Sequence, residues 1–250
     1  MSGITRKSPA EVALMRRAGA VVAEVLALVE ELAVPGASTA EIDAAAERHI
    51  LAAGASSNFK GYHGFPSVIC LSIDNEVVHG IPGEREIKRG ALVSVDAGAI
   101  IDGWHADAAR SFYVGEAPPE AARLIRVTRE ALDAGIAAAR PGATIEEVSA
   151  AIEDVALAAK LGIVRPYVGH GIGRAMHEAP QVPNYRTGRK SLTLAPGHCL
   201  AIEPMLTLGS PEVGVMDDEW TVVTIDGGLA AHFEDSIAIT PEGPLLLTRP

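Results

Sequence analysis

The clearest structural signal lies in residues 91–114, whose sequence is ALVSVDAGAIIDGWHADAARSFYV. Two runs of strand-forming residues flank Asp102-Gly103, and an Asp-Gly pair in that position is a strong signal for a two-residue hairpin turn. Such a turn places Gly98 opposite Asp107. Asp96 then lies on the same face of the pleat as Asp107, diagonally across the strand pair and roughly 7–8 Å away. The sequence therefore predicts a β-hairpin with two carboxylates on one face.

Asp96 and Asp107 have two interpretations at this point. On a face exposed to water, both carboxylates are simply solvated. Inside a core, each carboxylate raises the pKa of the other, because two negative charges at this distance repel. A bound metal ion would remove that repulsion. The hairpin alone leaves both interpretations open.

Parts of the first half of the chain recur in the second half. Three pairs of segments follow the same order, the first two at nearly the same offset: 35–47 with 141–153, 90–96 with 197–203, and 105–107 with 232–234. The first pair is identical at seven of its 13 positions, and each segment of the second pair is a glycine, a short apolar run and an acid. Chance similarity explains one such pair more easily than three. We therefore expect one domain, 1–250, built from related halves at roughly 1–117 and 118–250.

Helix starts are marked clearly in both halves. Ser8, Ser38 and Thr144 each stand three residues before a glutamate, which is the pattern of a capping box. A further helix is expected to begin at Pro119. Strands are expected over these ranges: Ala91–Ile101, Trp104–Val114, Cys199–Ile202, Trp220–Ile225 and Ala230–Thr240. Two helices followed by antiparallel strands in each half predict an α+β fold with the helices packed on one face of the sheet.

The composition excludes several classes of protein. Hydrophobic residues make up 48% of the chain and charged residues 21%, which is typical of a folded globular protein and not of a disordered one. A net charge of -11 disfavours binding to nucleic acid. The two cysteines suffice neither for a disulfide framework nor for a structural thiolate zinc site. Because there is no uninterrupted apolar run of ~18 residues and no secretion signal, we expect a cytoplasmic protein without membrane contact.

Two further acids lie in or beside apolar segments, and one histidine lies in a glycine-rich segment. Acids in predicted core segments usually have a functional or structural role. Glu203 ends an apolar run just before Pro204, and Glu234 lies in a predicted strand. With the two hairpin acids, they give four carboxylates at positions related by the repeat. His170 lies in the glycine-rich segment 168–173, which we expect to be a turn, because alternating glycines destabilise a helix and let the backbone approach a ligand closely. These residues predict an oxygen-rich cation site with one imidazole.

Taken together, the motifs resemble those of the type I methionine aminopeptidases, a family with the pita-bread fold. The similarity extends over essentially the whole chain and is carried by these motifs: Tyr62-His63-Gly64-Phe65-Pro66, Asn75-Glu76-Val77-Val78-His79-Gly80-Ile81-Pro82, Asp96, Asp102-Gly103 with Asp107, Gly169-His170-Gly171-Ile172-Gly173 with His177-Glu178, Ile202-Glu203-Pro204, and Phe233-Glu234. The resemblance implies two pseudo-twofold-related halves in a single catalytic domain. It also implies a metallo-exopeptidase that removes N-terminal methionine when the second residue is small.

By this resemblance, the acids and His170 form a site for two divalent metal ions. Asp107 and Glu234 would bridge both ions, Asp96 would chelate one of them, and His170 with Glu203 would bind the other. Five ligands with a single imidazole favour manganese, iron or cobalt, and zinc is also compatible. Glu203 would also handle the proton of the attacking water. The free α-amino group of the substrate would bind at the ion held by Asp96.

The resemblance also assigns two histidines and an apolar pocket. His177 would donate a hydrogen bond to the reacting carbonyl oxygen, and His79 would contact the amide beyond the scissile bond. The walls of the methionine pocket would be Tyr62, His63, Phe65, Cys70 and Trp220, with Phe59 and Met176 at neighbouring positions that vary within the family. Core packing would account for the aromatic residues equally well, but their place beside the motifs in a chain with 4% aromatic residues favours the pocket.

Two positions depart from the family pattern. The family usually has Gln-aromatic-Glu-His around the last bridging glutamate, whereas this chain has His232-Phe233-Glu234-Asp235. His232 changes a residue next to a ligand, which can tune metal affinity. Asp235 is expected to face away from the site by strand alternation, so we expect retained activity with an altered metal preference or rate. Two other histidines, His49 and His198, are expected on the surface.

The substrates implied by the resemblance are the N-termini of nascent polypeptides near the ribosome, bound by a monomer without direct nucleic-acid contact. Two alternatives share the fold: an Xaa-Pro-type exopeptidase and a non-catalytic protein that binds ribosomes or RNA. Relatives of the first kind usually carry an additional N-terminal domain, for which there is no room before Ser8. Those of the second kind lose metal ligands and gain basic extensions, whereas this chain keeps all five ligands and is acidic.

Overall fold

A computed structural model describes residues 4–249 of the chain. Within them, the α-helices are α1 (Pro9–Leu32), α2 (Thr39–Ala52), α3 (Pro119–Ala138) and α4 (Ile145–Ala158). The strands, in chain order, are β1 (Ser56–Ser57), β2 (Ile69–Ile73), β3 (Glu76–Val78), β4 (Leu92–Ile101), β5 (Trp104–Tyr113), β6 (Gly162–Ile163), β7 (Gly169–Gly171), β8 (Glu178–Val182), β9 (Cys199–Ile202), β10 (Met205–Thr207), β11 (Val213–Val215), β12 (Val222–Thr224), β13 (Ala230–His232), β14 (Glu234–Thr240) and β15 (Gly243–Leu246). In this described part of the chain, none of the helices combines the length and apolar character needed to span a membrane.

A large antiparallel sheet forms the centre of the molecule. Its strand order is β1-β4-β5-β14-β9-β7-β8, with β2 paired to β4 and β15 paired to β14. Two smaller sheets, β13-β10-β6 and β11-β12-β3, flank it. Helices and antiparallel strands therefore form the α+β architecture that the sequence predicts.

Two hydrophobic cores join the helices to this sheet. In the first core, α1 and α2 pack on β2, β4 and β5, with Val25, Ile42 and Val95 among its buried side chains. In the second core, α3 and α4 pack on β9 and β14, with Leu124 and Ile152 fully buried. Burial of a side chain of this size stabilises the fold by about 1.5–3 kcal/mol. Each pair of amphipathic helices thus covers the strands of its own half.

The two halves of the sheet meet where β5 pairs with β14. Glu234 lies opposite Ala109, and Asp235 lies opposite Ala108. Strand β14 pairs with β9 on its other side, where Asp235 lies opposite Ile202. Because β4, β5, β14 and β9 are neighbours, acids that are far apart in the sequence lie side by side at the middle of the sheet.

The hairpin and two of the three capping boxes are confirmed. Strands β4 and β5 pair with Gly98 opposite Asp107, as the Asp-Gly turn predicts. Ser8 and Thr144 form complete capping boxes at the starts of α1 and α4. The prediction at Ser38 is wrong, because its hydroxyl makes no cap hydrogen bond and donates to the carbonyl oxygen of Gly83 at 3.3 Å.

Some predicted strands are interrupted or shorter. The predicted strand Ala230–Thr240 is two strands, because the chain leaves a small sheet and enters the large one at Phe233. The predicted strand Trp220–Ile225 is limited to Val222–Thr224, since the backbone N–H groups of Trp220 and Thr221 donate to Asp218 instead.

The glycine-rich segment 168–173 is not the expected turn, because Gly169–Gly171 forms strand β7. Both glycines allow close approach of neighbouring backbone. A Cβ atom on Gly169 would lie 2.4 Å from the carbonyl oxygen of Ala201, and one on Gly171 would lie 2.2 Å from that of Ala179. The glycines therefore let β7 fit between its neighbours and present His170 from a strand.

Candidate active site

Asp96 and Asp107 point to the same face of the β4–β5 hairpin and are removed from bulk water. Asp107 is buried, and its Oδ1 accepts a hydrogen bond of 3.1 Å from the Ser236 hydroxyl. The buried Oδ1 of Asp96 has no hydrogen-bond partner among the described residues. The interpretation in which both acids are simply solvated is therefore wrong for this hairpin.

Glu234 and Glu203 reach the same place from the second half of the chain. Glu234 begins β14 and is buried, and its Oε1 also lacks a hydrogen-bond partner within the described part of the chain. Glu203 follows the last residue of β9, where Pro204 ends the strand. The antiparallel pairing of β14 with β9 brings these two carboxylates together.

His170 adds an imidazole to the four acids. Its Nδ1–H donates to the carbonyl oxygen of Gly171 at 3.0 Å, which leaves the Nε2 lone pair free to face the acids. This Nε2 lies 3.8 Å from Asp107 Oδ2 and 3.8 Å from Glu203 Oε1. Burial lowers the pKa of His170 to about 4, so the ring is neutral at pH 7, as a metal ligand must be.

The acid cluster is electrostatically unfavourable without a cation. Burial raises the pKa of Asp107 to about 6. Burial, followed by the charge of Asp107, raises the pKa values of Asp96 and Glu234 well above their usual range. Burial and the charges of Asp96 and Asp107 do the same for Glu203. Four carboxylates that repel one another, two of them with unpaired oxygens, are what a divalent cation neutralises.

The geometry of the cluster fits a metal ion. One ligand atom from each of Asp107, His170 and Glu234 lies within 4.8 Å of the others. Carboxylate oxygens with one imidazole nitrogen suit divalent ions such as manganese and iron, and they also accommodate cobalt and zinc. These residues can therefore hold a divalent metal.

Two further histidines stand beside the cluster. The ring centroids of His177 and His170 lie 4.2 Å apart, and His177 Nδ1 lies 2.8 Å from the Tyr62 hydroxyl. The His79 ring packs edge-on against Tyr167 and Trp220. Burial, together with the charge of a neighbouring histidine, lowers the pKa values of both His79 and His177 to about 4. Both rings are therefore neutral hydrogen-bonding groups at pH 7.

One cavity of about 320 Å³ contains every residue that the sequence proposed for the site. Its lining residues are Phe59, Tyr62, His63, Phe65, Cys70, His79, Asp96, Asp107, His170, Met176, His177, Glu203, Trp220 and Glu234. One wall carries the acids and histidines. The other lining residues are largely apolar, because Phe59, Phe65, Cys70 and Met176 form a buried cluster with Tyr62, Ile81 and Trp220 packed against it. The cavity thus combines a polar cluster with an apolar one.

The two departures from the family pattern lie next to the acids. His232 is buried, its Nε2 lies 3.6 Å from Glu203 Oε2, and that nitrogen has no hydrogen-bond partner in the described residues. Burial, with smaller effects of His79 and Arg110, lowers the pKa of His232 to about 3. Asp235 faces away from the cavity, as strand alternation predicts, and pairs with Arg110.

Sequence reasoning missed two supporting residues and misplaced one histidine. Ser236 hydrogen-bonds Asp107, and Arg110 donates to the carbonyl oxygen of Glu234. Neither has a signal in the sequence, because both contacts cross between halves of the sheet. His198 is buried and not on the surface, since its Nδ1 accepts from the Ala195 backbone N–H at 3.2 Å. His49 is partly exposed and pairs with Glu24.

The chain is similar to known metallopeptidases over nearly all of its length. Residues 13–241 match the model of metallopeptidase family M24. Methionine aminopeptidase 1 of Bacillus subtilis is 45% identical over 97% of this chain and 98% of its own. Methionine aminopeptidase 1 of Mycobacterium tuberculosis is 47% identical over 98% and 95% of the two chains.

Solved structures agree with this similarity. The crystal structure of methionine aminopeptidase from Thermotoga maritima superposes with a TM-score of 0.97, at 40% identity over 99% of this chain and 100% of that one. The prolidase from Pyrococcus furiosus, 22% identical, superposes with a TM-score of 0.80 over 98% of this chain and 65% of that one, and so shares the fold. The fold is therefore the pita-bread fold. The chain belongs to metallopeptidase family M24, among the bacterial type I methionine aminopeptidases, and is a metallo-exopeptidase.

Proposed function

We propose that this protein removes the N-terminal methionine from polypeptides whose second residue is small, with two divalent metal ions held by Asp96, Asp107, His170, Glu203 and Glu234. The observation that carries the proposal is the cavity itself, which is lined both by four carboxylates with an imidazole and by an apolar cluster that contains two sulfur atoms. Asp107 and Glu234, which lie on the paired central strands β5 and β14, would hold both ions. We also propose that residues 1–250 act as a single catalytic domain with halves at roughly 1–117 and 118–250.

The residues of the acid cluster have different proposed roles in peptide hydrolysis. Divalent cations bound there would lower the pKa of water and polarise the scissile carbonyl group. The pKa of Glu203 is raised by burial and by the charges of Asp96 and Asp107, so its carboxylate can accept a proton and pass it to the leaving amine. His170 stays neutral because burial lowers its pKa to about 4, and its Nδ1–H is engaged with the Gly171 carbonyl oxygen, so Nε2 can face the acids.

His177 and His79 orient the peptide bond. When the Tyr62 hydroxyl donates to His177 Nδ1, the neutral ring carries its hydrogen on Nε2 and can donate it to the carbonyl oxygen as negative charge develops. His79 is held by the edge-on contacts with Tyr167 and Trp220 and contacts the amide beyond the scissile bond. Neutral donors in this place cost no repulsion with a bound cation.

The walls of the cavity account for the substrate. Phe59, Phe65, Cys70 and Met176 offer an unbranched thioether side chain a buried apolar surface with soft sulfur atoms. Tyr62, His63 and Trp220 complete the pocket. A bulky second residue would press against His79 and His177 and displace the carbonyl group, and a displacement of ~1 Å can cost ~10²-fold in rate.

The substrates in this proposal are the N-termini of nascent polypeptides, met in the cytoplasm near the ribosome. The protein acts as a monomer without direct nucleic-acid contact, in keeping with its net charge of -11. No feature of the cavity favours the Xaa-Pro-type exopeptidase or the non-catalytic binding protein over methionine removal. The test below nevertheless includes an outcome for each of these two alternatives.

A panel of short peptides tests the proposal. The metal-free protein is reconstituted separately with manganese, iron, cobalt and zinc, and the bound metal is counted against protein concentration. We expect cleavage of Met-Ala-Ser and Met-Gly-Ser, no cleavage of Met-Lys-Ser and Met-Leu-Ser, and two ions per chain at full activity. Ala-Pro-Ser serves as the Xaa-Pro substrate.

Each alternative has its own outcome in this panel. Preferred cleavage of Ala-Pro-Ser would favour the Xaa-Pro-type enzyme, and inactivity with every metal would favour a binding protein. Equal cleavage of Met-Ala-Ser and Met-Lys-Ser would contradict the steric explanation even if both ions were bound. Activity that saturates with one ion per chain would contradict the two-metal proposal.

A further inference from the structure

His177 lies on the loop that connects β7 to β8. The loop carries both Met176 and His177 into the cavity. Strand β5 holds its first part, since the Gly173 carbonyl oxygen accepts the His105 backbone N–H at 2.9 Å. The side chain of Glu178 holds the residues that follow, since its Oε1 accepts the backbone N–H groups of Arg174 at 2.8 Å and Ala175 at 3.3 Å. The position of His177 therefore depends on where the Glu178 carboxylate is held.

The Glu178 carboxylate is held in turn by an N-terminal strap, which we define as residues Thr5–Lys7. Lys7 Nζ lies 2.7 Å from Glu178 Oε2, and the Thr5 hydroxyl donates to the same oxygen at 2.8 Å. The Lys7 side chain is only 3% exposed, although Thr5 and Arg6 beside it are exposed. A buried ammonium in an otherwise exposed segment shows that this one residue anchors the strap.

The strap also lies directly against the loop. A Cβ atom on Gly173 would lie 2.4 Å from Lys7 Cε and 2.6 Å from Glu178 Oε1, so a side chain here would displace the lysine and the carboxylate from their present positions. The backbone N–H of Lys7 donates to the carbonyl oxygen of Gly197 at 2.7 Å, which ties the strap to the segment before β9. On the cavity side, the Tyr62 hydroxyl lies 2.8 Å from His177 Nδ1.

We propose that Lys7 and Glu178 are positioning residues for His177, so that the N-terminal strap controls the rate of the reaction from outside the cavity. Lys7 holds Glu178, Glu178 holds the backbone of the loop, and the loop keeps His177 within reach of the Tyr62 hydroxyl and the substrate carbonyl group. This inference rests on the proposed role of His177. Lys7, Glu178 and His177 are not among the proposed metal ligands, so loss of the contact between Lys7 and Glu178 leaves metal binding intact.

The variant Lys7→Met tests this chain of contacts. Methionine keeps an unbranched apolar stem in the buried position and removes the ammonium group. Because a displacement of ~1 Å at the reacting groups can cost ~10²-fold, we expect kcat for Met-Ala-Ser to fall by ~10-fold or more. The KM and the number of bound ions stay within about twofold of their original values. Lys7→Arg, which restores a cation, regains most of the lost kcat.

A second readout is independent of activity. The nitrogen chemical shifts of the His177 ring report which ring nitrogen carries the hydrogen, and comparison with His177→Ala assigns them. In the original protein we expect the hydrogen on Nε2, because the Tyr62 hydroxyl donates to Nδ1. In Lys7→Met this preference is lost and the two tautomers mix. If the original protein did not cleave Met-Ala-Ser, the proposed function would be wrong. The difference in His177 shifts between the original protein and Lys7→Met would still show whether the strap positions His177.

The control variant is Arg126→Ala, which removes an exposed cation paired with Glu130 on α3, far from the strap in sequence, and should change neither kcat nor the shifts. If Lys7 only stabilises the fold, Lys7→Met unfolds at a lower temperature, but the folded enzyme keeps its kcat and its His177 shifts. That result would overturn the proposal. If Lys7→Met does not fold, the double variant Lys7→Met/Glu178→Met replaces the ion pair with apolar side chains of similar size and removes the acceptor of the loop N–H groups, and an unchanged kcat with unchanged shifts would overturn the proposal equally.

Discussion

At the scale of single residues, Asp107 and His177 line the same cavity but have different proposed roles. Asp107→Ala removes the carboxylate that we propose bridges the ions, and so leaves the repulsion between Asp96 and Glu234 uncompensated. We expect it to lose at least one metal ion and nearly all turnover. His177→Ala removes a hydrogen-bond donor and no ligand, so it keeps its metal and loses ~10²–10³-fold in kcat, the usual cost of one oxyanion donor.

Metal analysis alongside steady-state kinetics separates these two variants. His49→Ala is a matched control, because His49 lies at the surface paired with Glu24 and should change neither quantity. Metal loss in His177→Ala would make that residue a ligand. An Asp107→Ala protein with two bound ions and near-normal activity would remove Asp107 from the metal site.

At the scale of secondary-structure elements, Thr144 and Ser38 occupy the same position before two helices of the repeat but make different contacts. The Thr144 hydroxyl accepts the Glu147 backbone N–H at 3.3 Å, and the Glu147 side chain accepts the Thr144 N–H at 2.6 Å. The Ser38 hydroxyl instead shares the Gly83 carbonyl oxygen with Thr39, whose hydroxyl lies closer, at 2.9 Å. The cap is therefore a property of Thr144 and not of Ser38.

Stability measurements distinguish the two positions. Thr144→Ala should lower the free energy of unfolding by about 1 kcal/mol, because it removes a helix cap. Ser38→Ala should lower it by less than about 0.5 kcal/mol, since the Gly83 carbonyl keeps its bond to Thr39. Urea unfolding of the metal-free proteins measures both values. An equal loss in the two variants would show that Ser38 caps α2 in solution.

At the scale of the whole molecule, Asp235 links the two halves to the C-terminal segment. Its fully buried carboxylate pairs with Arg110 of β5 at 2.5 Å and with Arg249 at 2.6 Å, and it accepts a hydrogen bond from Thr248 at 2.8 Å. Arg110 also donates to the carbonyl oxygen of Glu234, so the same network holds the strand that carries a proposed ligand. The residue that departs from the family pattern therefore has a structural partner on each side.

We expect Asp235→Ala to lower the free energy of unfolding by about 3–5 kcal/mol, because it leaves two guanidinium groups without the buried charge that compensates them. Unfolding in urea with a chelator present measures the effect without a contribution from metal binding. Asp133→Ala is the control, since Asp133 pairs with the same Arg249 at the surface and should cost less than about 1 kcal/mol. A cost for Asp235→Ala no larger than that of the control would exclude the network as a link between halves.

Local features of the sequence were enough to predict much of this protein. The Asp102-Gly103 turn determines the register of β4 and β5, because a two-residue turn leaves no choice of pairing, and so it places Asp96 and Asp107 on one face. The capping boxes at Ser8 and Thr144 locate two helix starts for the same reason, as their hydrogen bonds span only three residues. The resemblance to the family, carried by these motifs, also proposed every residue that lines the cavity.

Contacts between distant segments could not be predicted in this way. The pairing of β5 with β14 joins residues more than a hundred positions apart, and this pairing brings Glu234 to Asp107 and buries both. Contacts between distant segments also explain why the glycine-rich segment forms strand β7 and why His198 is buried. The hydrogen bond from the Ser38 hydroxyl to the Gly83 carbonyl oxygen is a further contact of this kind. Residue type and spacing thus determined the hairpin, the helix starts and the candidate ligands, because those depend on neighbours in the chain. Burial, unpaired oxygens and shifted pKa values depend on which strands meet across the sheet, and only the folded chain brings those strands together.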